Sequence, residues 1–126
     1  MNPSWIVLGA LLAAASVAAG AFGAHALAAR LEPRDLALWE TAARYLMYGA
    51  FSLILIDLFG RQGAARSVGA LAAAGWCLLL GSVIFSGTVF ALALGSPRWL
   101  GAVTPLGGTL LIAGFLLFAW AAFPRP

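Results

Sequence analysis

The sequence predicts an all-α membrane protein, a four-helix antiparallel transmembrane bundle, and three observations carry that prediction. Of 126 residues, 63% are apolar and 9% are charged, with a mean hydropathy of +1.01. Water-soluble domains are about half apolar and a quarter charged, so this chain has too few charges to clothe a surface in water. Four apolar stretches, at about 6–29, 36–59, 68–94 and 103–123, approach the roughly 20 residues that a helix needs to cross a bilayer. The links between them are short: Arg30 to Glu32, Gly60 to Ser67 and Gly95 to Trp99. Short links make successive helices antiparallel neighbours, which implies one four-span domain over 1–126 with both termini on one side.

The first span, Ile6 to Ala29, carries no formal charge. Gly9, Ala13, Ser16, Gly20 and Ala24 recur along it at steps of three or four, forming a groove of small side chains that admits another backbone. Ala24-His25-Ala26 fits a small-x-small cleavage pattern. The apolar run is longer than a signal peptide's and lacks a basic leader, so the span is expected to be retained. The second span is apolar without interruption only from Tyr45 to Ile56, too short to cross by itself. It must extend back to Glu32-Pro33-Arg34-Asp35, a helix start with an early proline and a carboxylate in the first turn. A helix from Pro33 to Phe59 is roughly 40 Å long, with its first two turns at or outside the interface.

The third span, Val68 to Leu94, is uncharged and offers Gly75, Gly81, Ser82 and Ser86 as a second, less regular small-residue surface. In the fourth, Thr104-Pro105 reads as an N-cap followed by proline at the first helical position. The free peptide N–H groups of that end would attract an anion or a carbonyl weakly.

Seven basic residues, all arginine and scattered singly, exceed four acidic ones, and no basic run marks a nucleic-acid partner. Arg61, Arg66 and Arg125 fall on the side of the termini, against Arg30, Arg34 and Arg98 on the other. The positive-inside rule needs an imbalance, and only the carboxylates Glu32, Asp35 and Glu40 tilt the reading toward cytoplasmic termini. Asp57 and Arg61 form a self-satisfying i,i+4 pair at an otherwise plain end.

The opposite end is polar. In an up-down-up-down order His25, Glu40, Arg44, Tyr45, Tyr48, Ser86, Thr88 and Thr104 all belong to one leaflet. Thr41, Tyr45, Tyr48 and Ser52 share a face of the second span, with Glu40 and Arg44 beside them in the favourable acid-before-base order. One reading is a pocket with His25 as titratable group and Arg44 as anchor for an anion or carbonyl. The other, preferred here, is structural: an interfacial ion pair, with Arg44 bonded to Glu40 or a carbonyl, and an aromatic belt of Trp5, Trp39 and Trp99. The pocket reading requires at least three of His25, Arg44, Tyr45, Ser86 and Thr104 to border one cavity.

Gly20-Ala-Phe-Gly-Ala-His25-Ala-Leu27, Trp39-Glu-Thr-Ala-Ala-Arg-Tyr45, Phe85-Ser-Gly-Thr88 leading into Ala91-Leu-Ala-Leu94, and Thr104-Pro-Leu-Gly-Gly108 occur in this order. Together they resemble the small bacterial inner-membrane family known as domain of unknown function 423, itself similar to eukaryotic transmembrane protein 256. The resemblance covers essentially the whole chain and implies four spans in a bacterial inner membrane. It implies no established reaction. One departure is visible: the family usually has histidine in its second helix where this chain has Gly49.

One histidine and one cysteine, Cys77, supply neither a metal cluster nor a nucleophile with its base, so no cofactor and no enzymatic role are expected. Proton-coupled export places a carboxylate near the bilayer midplane, where this chain has only Ser16, Ser52 and Ser82. The leading expectation is a non-catalytic membrane protein, an accessory subunit whose partners are lipid and other membrane subunits or further copies of itself. The alternatives are a small-molecule transporter or a lipid- or quinone-binding protein.

Overall fold

The computed structural model describes residues 3–124, so Arg125 lies outside them. Helix α1 runs over Trp5–Phe22, with the Ser4 hydroxyl accepting the Val7 N–H at its start, and continues through a π-helical turn, Gly23–Leu27. Helix α2 covers Pro33–Arg61, α3 Val68–Ala93 and α4 Leu100–Ala122. All four are long and apolar enough to cross a membrane.

The helices pack in chain order: α1 lies on α2, α2 on α3 and α3 on α4, while α4 touches α2 only lightly. The Ile6 N–H donates to Asp57 Oδ2 at 2.9 Å and the Arg66 N–H to Ala121 O at 2.8 Å, which brings the two ends of the described chain to one end of the molecule.

Small residues at seven-residue spacing make the contacts, the repeat of left-handed helix packing. On α1 these are Gly9, Ser16 and Gly23, which face Ala50, Ala43 and Trp39 of α2. On α4 they are Gly107 and Gly114, against Phe85 and Leu78 of α3. Between α2 and α3, Gly49 lies so close to Ser82 that a Cβ would collide with its hydroxyl. Lipid supplies no hydrophobic force between helices, so close backbone approach is a main source of attraction here.

Three expectations need correction. The α1 groove does not follow Gly20 and Ala24: nothing stands near a Cβ at Gly20, Ala24 is exposed, and Gly23 takes their place against the Trp39 ring. Trp5 is not an interfacial anchor; it is 6% exposed, seated on Gly75 and edge-on to Trp76 at 5.3 Å. Thr104 is not an N-cap. Helix α4 begins a turn earlier, because tight i→i−3 bonds from Leu100, Gly101 and Ala102 to Pro97, Arg98 and Trp99 start it, leaving Pro105 inside the helix. The N–H groups that follow Pro105, expected to attract an anion, therefore lie inside the helical ladder.

These contacts predict a contrast between two glycines of similar helical setting. Gly49→Ala should lower unfolding stability in detergent by about 1–3 kcal/mol through overpacking, whereas Gly20→Ala should leave it unchanged or slightly raised. Equal effects of the two substitutions in a denaturation titration would contradict the close α2–α3 approach.

Candidate functional site

The serine and threonine hydroxyls of the polar end bond helical carbonyls. Ser86, 1% exposed, donates to Ala42 O at 2.8 Å, joining α3 to α2. Ser16 donates to Ala43 O at 2.6 Å, joining α1 to α2. The hydroxyls of Thr88 and Thr104 meet at 2.7 Å across α3 and α4, and both also lie within bonding distance of helical carbonyls: Ile84 O and Phe85 O for Thr88, Leu100 O for Thr104. One threonine donates to the other, whose own proton is then free for its carbonyl. Ser52 and Ser82 bond back to Tyr48 O and Leu78 O, each at 2.6 Å.

Trp39 organises the level above. Its indole Nε1 donates to Ala19 O at 2.7 Å, while its ring packs between Phe22 and Phe90 at 6.0 and 4.5 Å. The Gly23 N–H approaches the same Ala19 carbonyl, so a side-chain donor enters the helical ladder where the turn widens into π geometry.

His25 sits on the exposed side of that π turn, and Glu40 and Arg44 are exposed on α2. None of the three has a hydrogen bond or ion pair among the described residues. The expected Glu40–Arg44 pair is therefore not formed. Both residues are exposed, and neither side chain meets a partner on a neighbouring helix. The expected anchoring of Arg44 on a carbonyl fails for the same reason.

Tyr45 and Tyr48 border a cleft of about 320 Å³ completed by Phe85 of α3 and by Gly108, Leu111, Ile112 and Phe115 of α4. The two phenol rings lie 5.2 Å apart and Tyr45 stacks at 4.8 Å on Phe85. Neither tyrosine hydroxyl has a hydrogen-bond partner among the described residues. Of the five residues expected to converge, only Tyr45 lines this cleft; Ser86 and Thr104 are engaged between helices, and His25 and Arg44 are exposed. The shared polar pocket is thus replaced by an aromatic cleft with two phenols.

The plain end holds more than its sequence suggests. Arg61 Nε donates to Asp57 Oδ1 at 2.7 Å as expected, but Asp57 also receives the Ile6 N–H and so caps α1 from another helix. The pair lines a second cavity of about 210 Å³ beside Trp5, Ile56 and Leu71. No group of three or more His, Cys, Asp or Glu side chains capable of holding a metal occurs among the described residues.

The motifs that run from the π turn to the start of α4 coincide with a family match. The family described as Protein of unknown function (DUF423) matches residues 19–108. The chain belongs to this family. Among its relatives, a UPF0382 membrane protein of Staphylococcus haemolyticus is 44% identical over 119 residues, covering 94% of both chains. A second, of Staphylococcus epidermidis, is 43% identical over 117 residues, 93% of each. The UPF0382 membrane protein YwdK of Bacillus subtilis is 36% identical over 118 residues, 94% of each. No solved structure matches the chain. With relatives named as membrane proteins and four membrane-length helices, the protein is a membrane protein. At Gly49, where the resemblance implies a histidine, the contact with Ser82 leaves no space for a side chain.

The geometry predicts different structural weights for the interhelical hydroxyls and the exposed His25 imidazole. Thr104→Val should lower stability by about 0.5–1.5 kcal/mol through the lost Thr88 bond, and His25→Ala should change it by less than about 0.5 kcal/mol. Reversal of that order in equilibrium unfolding would show that His25 holds a partner within the fold.

Proposed function

We propose that the protein is a non-catalytic component of the bacterial plasma (inner) membrane, with cytoplasmic termini, that binds a lipid-soluble molecule carrying a hydrogen-bond acceptor. The observation behind this reading is the Tyr45–Tyr48 cleft. Its walls are aromatic and aliphatic, its volume is at the lower end of ligand pockets, and two of its wall residues, Tyr45 and Tyr48, carry hydroxyls without internal partners. Tyr48 lies about 12 Å deeper than Glu40 along α2, close to mid-bilayer if Glu40 is interfacial. At that depth water does not satisfy a hydroxyl, so a ligand carbonyl gains a bond that lipid tails do not offer. A quinone ring has the shape and acceptors to fit.

A ligand of this kind stabilises the folded protein by mass action. A short-chain benzoquinone added to detergent-purified protein should raise the Tm by several degrees. Gly108→Leu, which fills the cleft, should abolish the shift, and Tyr48→Phe should reduce it. An unchanged Tm at saturating quinone, or a shift that survives Gly108→Leu, overturns the ligand reading.

An accessory-subunit reading has its own support. Arg44 lies about 6 Å deeper than Glu40, exposed and unpaired among the described residues. A guanidinium at that level costs a few kcal/mol unless it snorkels or meets a counter-charge. A protein partner on the outer side of α2 would supply one.

A further inference from the structure

The cavity of about 210 Å³ lies where α2 finishes and α1 and α3 begin. Ile56, Val68, Leu71 and Ala72 make its wall apolar, and Arg61, with a side chain 66% exposed, stands where it opens. Asp57 is already committed there: its Oδ1 accepts from Arg61 Nε and its Oδ2 from the Ile6 N–H. The side-chain groups left without a partner are donors, both Nη groups of Arg61 and the indole N–H of Trp5. Trp5 is only 6% exposed, and an unpaired N–H on so buried a ring is costly unless an acceptor reaches it. The ring edge that carries this N–H is seated on Gly75 of α3. Leu71 and Ala72, one turn earlier on the same helix, continue as the cavity wall, so the donor borders the cavity.

We propose that this cavity holds the phosphate of a phospholipid headgroup, with Arg61 and Trp5 as its donors. The site is separate from the Tyr45–Tyr48 cleft and does not depend on it. Its depth is right: α3, Val68–Ala93, is roughly 39 Å long against a hydrocarbon core of about 30 Å, so its first turn reaches headgroup level. A guanidinium matches phosphate oxygens with paired N–H bonds. Because Asp57 holds Nε, the plane of the Arg61 fork is oriented and its Nη groups are presented in a restricted direction. The starts of α1 and α3 add the positive ends of two helix dipoles, of which Asp57 offsets that of α1. Ile56, Leu71 and Ala72 then receive the glycerol and first acyl carbons, a contact that free phosphate in water lacks. A cation fits less well, since each Asp57 oxygen already carries a donor.

The test is native mass spectrometry of the full chain in an uncharged detergent, with adducts read on the folded species. Dihexanoyl phosphatidylglycerol should bind saturably, one per chain, while dihexanoyl glycerol, which lacks the phosphate, should not. Inorganic phosphate at equal concentration should fail to displace the lipid. Arg61→Gln, which removes both Nη groups, should weaken binding tenfold or more. Ala72→Leu, which fills the cavity and leaves the Asp57 bonds in place, should do the same, and Trp5→Phe should weaken it several-fold. Arg98→Gln, at an exposed arginine of the opposite end, should leave it unchanged. Equal binding of dihexanoyl glycerol overturns phosphate recognition, and displacement by inorganic phosphate overturns the lipid source. Binding that survives Ala72→Leu, or that Arg98→Gln weakens as much as Arg61→Gln, overturns the site.

Discussion

Two adjacent carbonyls of α2 receive serine hydroxyls from opposite sides, Ala43 from Ser16 of α1 and Ala42 from Ser86 of α3. Much of the helix arrangement depends on that double attachment. Both carbonyls lie within the helical ladder, so each hydroxyl bond is an additional link between helices. In a medium where lipid is as apolar as leucine, such bonds and close backbone contact decide which helices become neighbours. A single bond of this type averages about 0.6 kcal/mol, so the arrangement needs several acting together. The Gly9–Ala50 and Gly49–Ser82 approaches lie about two turns from the serine bonds on each interface and extend the contact along α2.

The ends of the molecule are tied by groups far apart in sequence. Asp57 holds Arg61 on its own helix and caps α1 with its other oxygen, fixing α1 against the end of α2. Arg66, in the link before α3, donates to Pro124 O at 2.9 Å and lies 5.7 Å from the ring centres of both Trp120 and Phe123. It draws the end of α4 to the same level. At the opposite end Trp39 binds the last turns of α1 and widens one of them into π geometry. With α2 held at both ends and along one arc, its remaining arc is presented to the membrane as a fixed surface.

Much of this was legible in the sequence because it follows from length and spacing. The apolar runs and short links predict the spans and their neighbours. The shortness of Tyr45 to Ile56 predicts that α2 starts near Pro33, and Gly75, Gly81, Ser82 and Ser86 are buried at interfaces as their small size suggests. The candidate site was less legible, because residue type does not specify direction. A serine near a pocket and a serine on a carbonyl look alike, and Ser86 is the latter. Thr104-Pro105 has the composition of a helix start, but the turn at Pro97 starts α4 first. Glu40 and Arg44 have the spacing of a pair, but which arc of α2 is covered depends on packing partners distant in the chain. The capping of α1 by Asp57 has no local signal. The cleft was anticipated only through Tyr45 and Tyr48; Phe85, Leu111 and Phe115 read as ordinary span residues.

The central claim, that paired hydroxyl bonds to consecutive carbonyls hold α2 between α1 and α3, is tested most directly by unfolding Ser16→Ala, Ser86→Ala and the double variant in one detergent. Each single change should cost about 0.5–1.5 kcal/mol. The double variant should cost close to their sum, because the bonds reach different carbonyls on different interfaces. A double variant as stable as the unsubstituted protein would contradict the account.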